Sequence, residues 1–280
     1  MAVVNWRLKK AHEANKFFQH SLQLAESNKK SISEIVHNYS AFLIDQKKYK
    51  EASLVLDLYL KNNFIPEDVS TIEQRILLKK IIVLEALQQN SEATELAEKF
   101  LEAINFKNEI KLDLYNHLIC YYSTMQENNL RINAIINDID ELLIALPQLN
   151  KQIKARTLNN TAYACLISKN LLEAKKRVAL ISGEIHHDPY VTATFGLFKL
   201  RSGDVARGKQ LYLEAIGLLK TVKDKGRFKQ RMHYELGRTY VLEGDMHRAT
   251  RCFLKAKSVR LGQSYLNTAI DQQLKTLPPS

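Results

Sequence analysis

The chain has 280 residues, 45% of them apolar, which is enough to fill an extended core and argues against a disordered polypeptide. No stretch approaches the roughly 18 apolar residues a bilayer span needs, and MAVVNWRLKK lacks the apolar run of a secretory leader, so a cytoplasmic protein is expected. Cys120, Cys165 and Cys252 are odd in number and far apart, which excludes a disulfide framework or metal knuckle and predicts reduced core thiols.

All nine glycines lie beyond residue 182. A sheet protein or a dinucleotide-binding enzyme needs glycine at tight turns and beside phosphates, so a glycine-free half disfavours both. Helices joined by short polar turns are expected to have no such need. Pro66, Pro147 and Pro189 sit in breaks between amphipathic segments, and Pro278 and Pro279 end the last one.

Taken in chain order, residues 3–27 predict one amphipathic helix, with Trp6 and Leu8 near Phe17, Phe18 and Leu22, that caps whatever follows. Residues 32–148 predict three helical hairpins and residues 150–262 three more. The hairpin signal is a polar turn, then a small residue inside an apolar stripe: KKYKEASLVL, QNSEATELAEKF, NNLRINAIIND, KNLLEAKKRV, SGDVARGKQLY and EGDMHRATRCF. The small residues are Ala52, Ala93, Ala134, Ala174, Gly208 and Ala249, separated by 41, 41, 40, 34 and 41 positions. Small residues fit where the two helices of a hairpin cross closely. Residues 263–277 predict a closing helix with Tyr265, Leu266, Ala269, Ile270 and Leu274 on one stripe and Gln263, Asn267, Asp271 and Gln272 opposite.

A separation of 34 is the tetratricopeptide period, and seven extra residues add two turns while rotating the buried stripe by only about 20°. In HYELGRTYVLEGDMHRATRCFLKA, the residues Leu236, Gly237, Tyr240, Gly244, Ala249, Phe253 and Ala256 fall where that family has Leu-Gly, an aromatic, a turn glycine, Ala, an aromatic and Ala. The preceding unit is similar through Gly196, Gly203, Gly208, Tyr212 and Ala215, with Lys199 in place of an aromatic. The chain therefore resembles the tetratricopeptide repeat (TPR) family, closely over 150–262 and mainly by spacing over 68–148. The resemblance implies an all-α solenoid of about six hairpins with capping helices, filling residues 1–280 as one domain. It also implies a non-catalytic adaptor or regulatory subunit.

Three lookalikes point to bland readings. GDVARGKQ, residues 203–210, nearly spells a phosphate-binding loop, but Gln210 replaces the hydroxyl residue and no strand precedes it. His186, His187 and Asp188 read as a polar turn ended by Pro189 rather than as metal ligands. Asp138, Asp140 and Glu141 read as a solvated helix face. No metal, cofactor, small-molecule substrate or catalytic group is expected.

Charge is lopsided, with net −3 over residues 1–150 and +14 over 151–260. An acidic partner is expected on the second half. In TPR arrays the first helix of each hairpin lines a groove, and the resemblance offers Arg156, Asn159 and Tyr163 from hairpin four, Tyr190 and Arg201 from five, and Arg231, Tyr234 and Arg238 from six. Arginine forks suit carboxylates, asparagine pairs with a bound backbone and tyrosine supplies rigid area, so the expected ligand is an acidic peptide or protein. A different reading takes Lys220, Lys223, Lys225, Arg227, Phe228, Lys229 and Arg231, expected across the loop and helix entry between hairpins five and six, as a nucleic-acid site. A third reading, by analogy of fold, is a peptide-sensing TPR regulator.

Overall fold

The computed structural model describes residues 1–25, 29–63, 69–125 and 129–277, so Pro66, Pro278 and Pro279 lie outside the described residues. The regular elements among the described residues are all helical. An N-terminal hairpin pairs α1 (Ala2–Arg7) with α2 (Ala11–Leu24). Hairpins one and two are α3 (Lys29–Asp45) with α4 (Tyr49–Asn63) and α5 (Thr71–Ala86) with α6 (Asn90–Ala103), and α7 (Asn108–Met125) and α8 (Asn129–Ala145) follow in the place expected for hairpin three. Hairpins four to six are α9 (Lys151–Ile167) with α10 (Leu171–Leu180), α11 (Pro189–Arg201) with α12 (Val205–Leu218), and α13 (Val222–Leu242) with α14 (Met246–Lys257). The last helix is α15 (Ser264–Thr276), in the place expected for it.

One turn recurs through the chain. Six hairpins are joined by three described residues whose middle member has positive φ: Lys9 (59°), Lys47 (57°), Gln88 (65°), Lys169 (64°), Gly203 (85°) and Gly244 (79°). The amide of the third residue returns to a carbonyl five positions back, as in Lys48 to Leu43 at 2.8 Å, Asn170 to Cys165 at 2.8 Å and Asp245 to Tyr240 at 2.9 Å. This closes the helix end with a left-handed residue, a conformation glycine adopts freely and side-chain-bearing residues only at a cost. The expectation that the glycine-free half has no need of such positions is thus corrected: the same turn is present and lysine or glutamine occupies it.

The small-residue register also resolves. The fourth residue of each second helix is buried: Ala14, Ala52, Ala93, Ile132, Ala174, Gly208 and Ala249. Ala134 is exposed, so the position assigned to it belongs to Ile132, and the neighbouring separations become 39 and 42. The physical reason is the apolar ladder of α8, where Ile132, Ile135, Ile136 and Ile139 are buried and Ala134 falls on the opposite side. Residues 3–27 are likewise not one helix. Lys9 breaks them, and Ala14 makes α1 and α2 an abbreviated hairpin of the same kind.

The chain forms two compact units, one of residues 1–121 with 138–146 and one of residues 122–137 with 147–280. In the first, Phe18 stacks on Tyr39 at 5.2 Å between ring centres, and Phe42 lies 5.6 Å from Phe18 and 5.9 Å from Trp6. The Trp6 indole donates to Asp45 Oδ2 at 3.0 Å, while Leu8 and Phe17 face solvent rather than the core. Buried Lys80 ties α5 to α4 through Asp57 at 2.7 Å. His117 of α7 reaches Glu85 at 2.6 Å. Ser70 and Glu73 form a capping box that starts α5.

In the second unit the helices of hairpins five and six approach through glycine. A Cβ on Gly237 would lie 2.7 Å from the Phe253 ring. The α15 helix buries Leu266 and Ile270 against Tyr234, Ala249, Phe253 and Ala256. Buried Gln230 of α13 holds the connection to α15, accepting from the Gln263 amide at 2.5 Å and donating to Asn267 at 2.7 Å.

Candidate partner-binding site

Helix α13 organises the second unit. Thr221 starts it, accepting from the Asp224 amide, so the basic run 220–231, expected across the loop and helix entry, lies mostly in the helix. A helix sorts such a run onto different faces, because residues four apart share a side. Arg231 and Glu235 turn toward the first helices of hairpins four and five, α9 and α11; Tyr234 packs toward α14 and α15 with Arg231 and Arg238 over its ring; and Lys229 and His233 lie one turn apart on another face.

On the first face the decisive residue is Glu235, whose side chain is fully buried. Arg201 of α11 donates to its Oε2 at 2.5 Å, the Arg231 Nε lies 3.0 Å from Oε1, and the Arg238 guanidinium lies 3.8 Å from Oε2. Arg231 also donates to the Tyr163 hydroxyl of α9 and lies 5.3 Å from the centre of that ring, while Arg238 lies over Tyr234 at 5.7 Å. Burial pushes the Glu235 carboxyl up, but the guanidinium groups of Arg231, Arg201 and Arg238 outweigh it and hold the pKa below the ordinary carboxylate value. Three cations around one anion leave the cluster with two net positive charges.

Tyr163, Arg201, Arg231, Tyr234 and Arg238, read from the sequence as groove residues, are thus brought together, each engaged with Glu235 or with another member. Arg231 and Tyr234 are buried in the process. Asn159 is buried on α9 one turn before Tyr163, and its Oδ1 accepts no hydrogen bond. Arg156 is exposed on the same helix. Tyr190 is exposed and meets Phe228 edge-on at 5.4 Å between ring centres, so Phe228 packs on a neighbouring helix. Lys220, Lys223 and Lys229 are exposed, Lys225 is half-buried, and Arg227 lies 3.9 Å from Asp224. The sequence reading missed Glu235, and the signal was available: an acid four residues after Arg231 and three before Arg238 on one helix.

The lookalike motifs have structural roles. Gly203 occupies the left-handed turn position, Asp204 caps α12 and Gly208 sits at the helix crossing. Asp188 caps α11 by accepting from the amides of Tyr190 at 2.7 Å and Val191 at 3.0 Å, with Pro189 as the first helical residue, and His186 pairs with Glu214 at 2.9 Å.

No protein-family model matches this sequence, and no curated protein matches it. Solved structures match in shape. A tetratricopeptide repeat protein from Parabacteroides merdae aligns with a TM-score of 0.60 and 14% identity, over 98% of this chain and 94% of that one. The C-terminal part of a TPR repeat-containing protein from Cytophaga hutchinsonii aligns with a TM-score of 0.50 and 13% identity, over 96% and 97%. The chain has the tetratricopeptide-like fold, all-α with consecutive helices paired in hairpins. At these identities the likeness is one of fold.

Proposed function

We propose that this chain is a non-catalytic interaction scaffold whose second unit takes an acidic segment of a protein partner on the face made by α9, α11 and α13. The observation that carries this reading is the Glu235 cluster. One buried carboxylate holds three arginines in fixed directions, and pre-ordering the donors lowers the entropy lost when a partner is bound. Three arginines set around one carboxylate favour a carboxylate-rich ligand, and exposed Arg156 lies on the same helix as Tyr163. The TPR-like fold supports a protein partner by analogy.

The test is affinity capture from the native host with wild-type chain and with Arg156→Glu/Arg238→Glu, followed by elution with a hexaglutamate peptide. A partner released by hexaglutamate and lost in the double variant is the expected outcome. Equal capture by both chains counts against the assignment of this face.

A further inference from the structure

The other face of α13 carries a second concentration of charge. Lys209 of α12, Lys229 of α13, and Arg251 and Lys255 of α14 are all exposed. Helices α12 and α14 both pack on α13. On α14, Arg248 pairs with Asp245 at 3.3 Å and Lys257 with Asp271 at 2.7 Å. Lys209, Lys229, Arg251 and Lys255 have no ion-pair partner among the described residues. They surround two half-buried groups. The His233 Nδ1 is shut off from solvent and has no hydrogen-bond partner, and Cys252 lies on α14 three residues before Lys255.

We propose that Lys209, Lys229 and Lys255, with Arg251 beside them, form a docking surface for the phosphate backbone of a nucleic acid. A row of point charges carried by three successive helices, whose axes lie roughly 8–10 Å apart, matches a linear chain of regularly repeated anions. A single carboxylate or phosphorylated side chain is better served by the convergent forks of arginine. Lysines reading phosphates in this way bind without sequence preference. The surface is independent of the α9–α11–α13 face, so its failure leaves the acidic-segment reading standing.

His233 reports on this surface. Burial is the largest cause that lowers the pKa of its imidazole, and Lys255 of α14, Lys209 of α12 and Lys229 of its own helix add to it. Burial raises the Cys252 thiol, while Lys255, Lys209 and Arg251 oppose that rise. Bound phosphates neutralise the lysines, so an occupied surface makes His233 easier to protonate.

The experiment measures binding of a fluorescein-labelled 20-nucleotide single-stranded RNA to the full chain by anisotropy across a salt series, alongside the His233 proton-NMR titration. The wild type is expected to bind at low salt, and Lys209→Gln/Lys229→Gln/Lys255→Gln to shrink the slope of log affinity against log salt by roughly 2, since each contact contributes about 0.7. Lys16→Gln/Lys50→Gln/Lys99→Gln, an equal charge loss in the first unit, is expected to keep the wild-type slope. RNA is expected to raise the His233 midpoint in the wild type and not in the first variant. No RNA binding by the wild type, equal losses in the two variants, a stationary His233 midpoint with RNA bound, or displacement of RNA by equimolar hexaglutamate would each overturn the proposal. All six lysines are exposed, and circular dichroism checks that both variants fold.

Discussion

Gly196 and Gly208 face each other across the α11–α12 crossing so closely that a Cβ on Gly208 would lie 2.9 Å from the Gly196 carbonyl oxygen, and one on Gly196 3.1 Å from that of Gly208. Backbone cannot move aside as a flexible side chain can. Gly208→Ala is therefore expected to destabilise the second unit by about 1–3 kcal/mol through overpacking, and Ala249→Leu, at the equivalent position of hairpin six, by a similar amount. For a chain of this size that is a fall of several degrees in Tm, roughly 2–4 °C per kcal/mol. Thermal unfolding followed by circular dichroism checks both, and an unchanged Tm would contradict the crossing register.

The left-handed turn residue gives a cleaner test, because a side chain at Gly203 or Gly244 would meet no atom within 4 Å. Any effect there comes from the backbone alone. Gly203→Ala and Gly244→Ala are each expected to cost about 1–2 kcal/mol, and Lys47→Gly, Gln88→Gly and Lys169→Gly each to stabilise by about 1 kcal/mol. Urea denaturation midpoints measured at constant slope separate the two directions.

That turn also accounts for how the sequence could be read. In hairpins five and six it is spelled Gly-Asp, and the aspartate accepts from the amide three residues on, so both residues announce a helix end and a helix start. Hairpin four keeps half of the signal through Asn170. The turns ending in Lys10, Lys48 and Gln89 adopt the same backbone with residues that favour helix interiors. The break at Lys9 therefore passed as continuous helix. Ala134 misled for a related reason: the 41-residue period pointed to it, and the alanine there satisfied a search for small residues, while the stripe of isoleucines fixed the packing two positions earlier.

The candidate site was legible in its parts and not in its connections. Spacing three and four along α9 and α13 found Tyr163, Arg231, Tyr234 and Arg238, because one helix face is a local property. That Arg201 and Arg231 share Glu235 depends on α11 lying beside α13, which pairs residues 34 positions apart. Reading 220–231 as one basic run overlooked the helical period that sends Arg231 inward to Tyr163 and leaves Lys229 exposed.

Glu235→Gln is expected to destabilise strongly, by about 3–5 kcal/mol, since three partly or wholly buried guanidinium groups lose their anion. The pH dependence has a definite sign. The folded carboxyl titrates below its unfolded value, so its stabilisation is complete above the ordinary carboxylate range and is lost as pH falls through the depressed folded value. Wild type should therefore lose stability in acid more steeply than Glu235→Gln, with the two denaturation curves converging at low pH. Parallel curves would mean that Glu235 is not the titrating group.

Lys79 gives the opposite case. Its Nζ donates to the His37 carbonyl at 2.7 Å and lies 2.7 Å from the ring Nδ1 of the same residue, with Arg75 one turn away on α5. Burial is the main cause that lowers its pKa from 10.5 to about 7, with Arg75 adding to it, and burial with Lys79 and then Arg75 lowers His37 from 6.5 to about 4. Both groups bind protons more readily when the chain is unfolded. Stability should therefore rise with pH between about 7 and 10.5 through Lys79, and fall as pH drops from 6.5 toward about 4 through His37. Lys79→Met removes the first slope outright and lessens the second by taking one cation from His37. Chemical denaturation of both chains at pH 5, 7 and 9 tests this, and so does the carbon-13 shift of the Lys79 Cε, expected to titrate near 7. A midpoint near the ordinary lysine value, with the same slope in both chains, would show the amine to be solvated and charged.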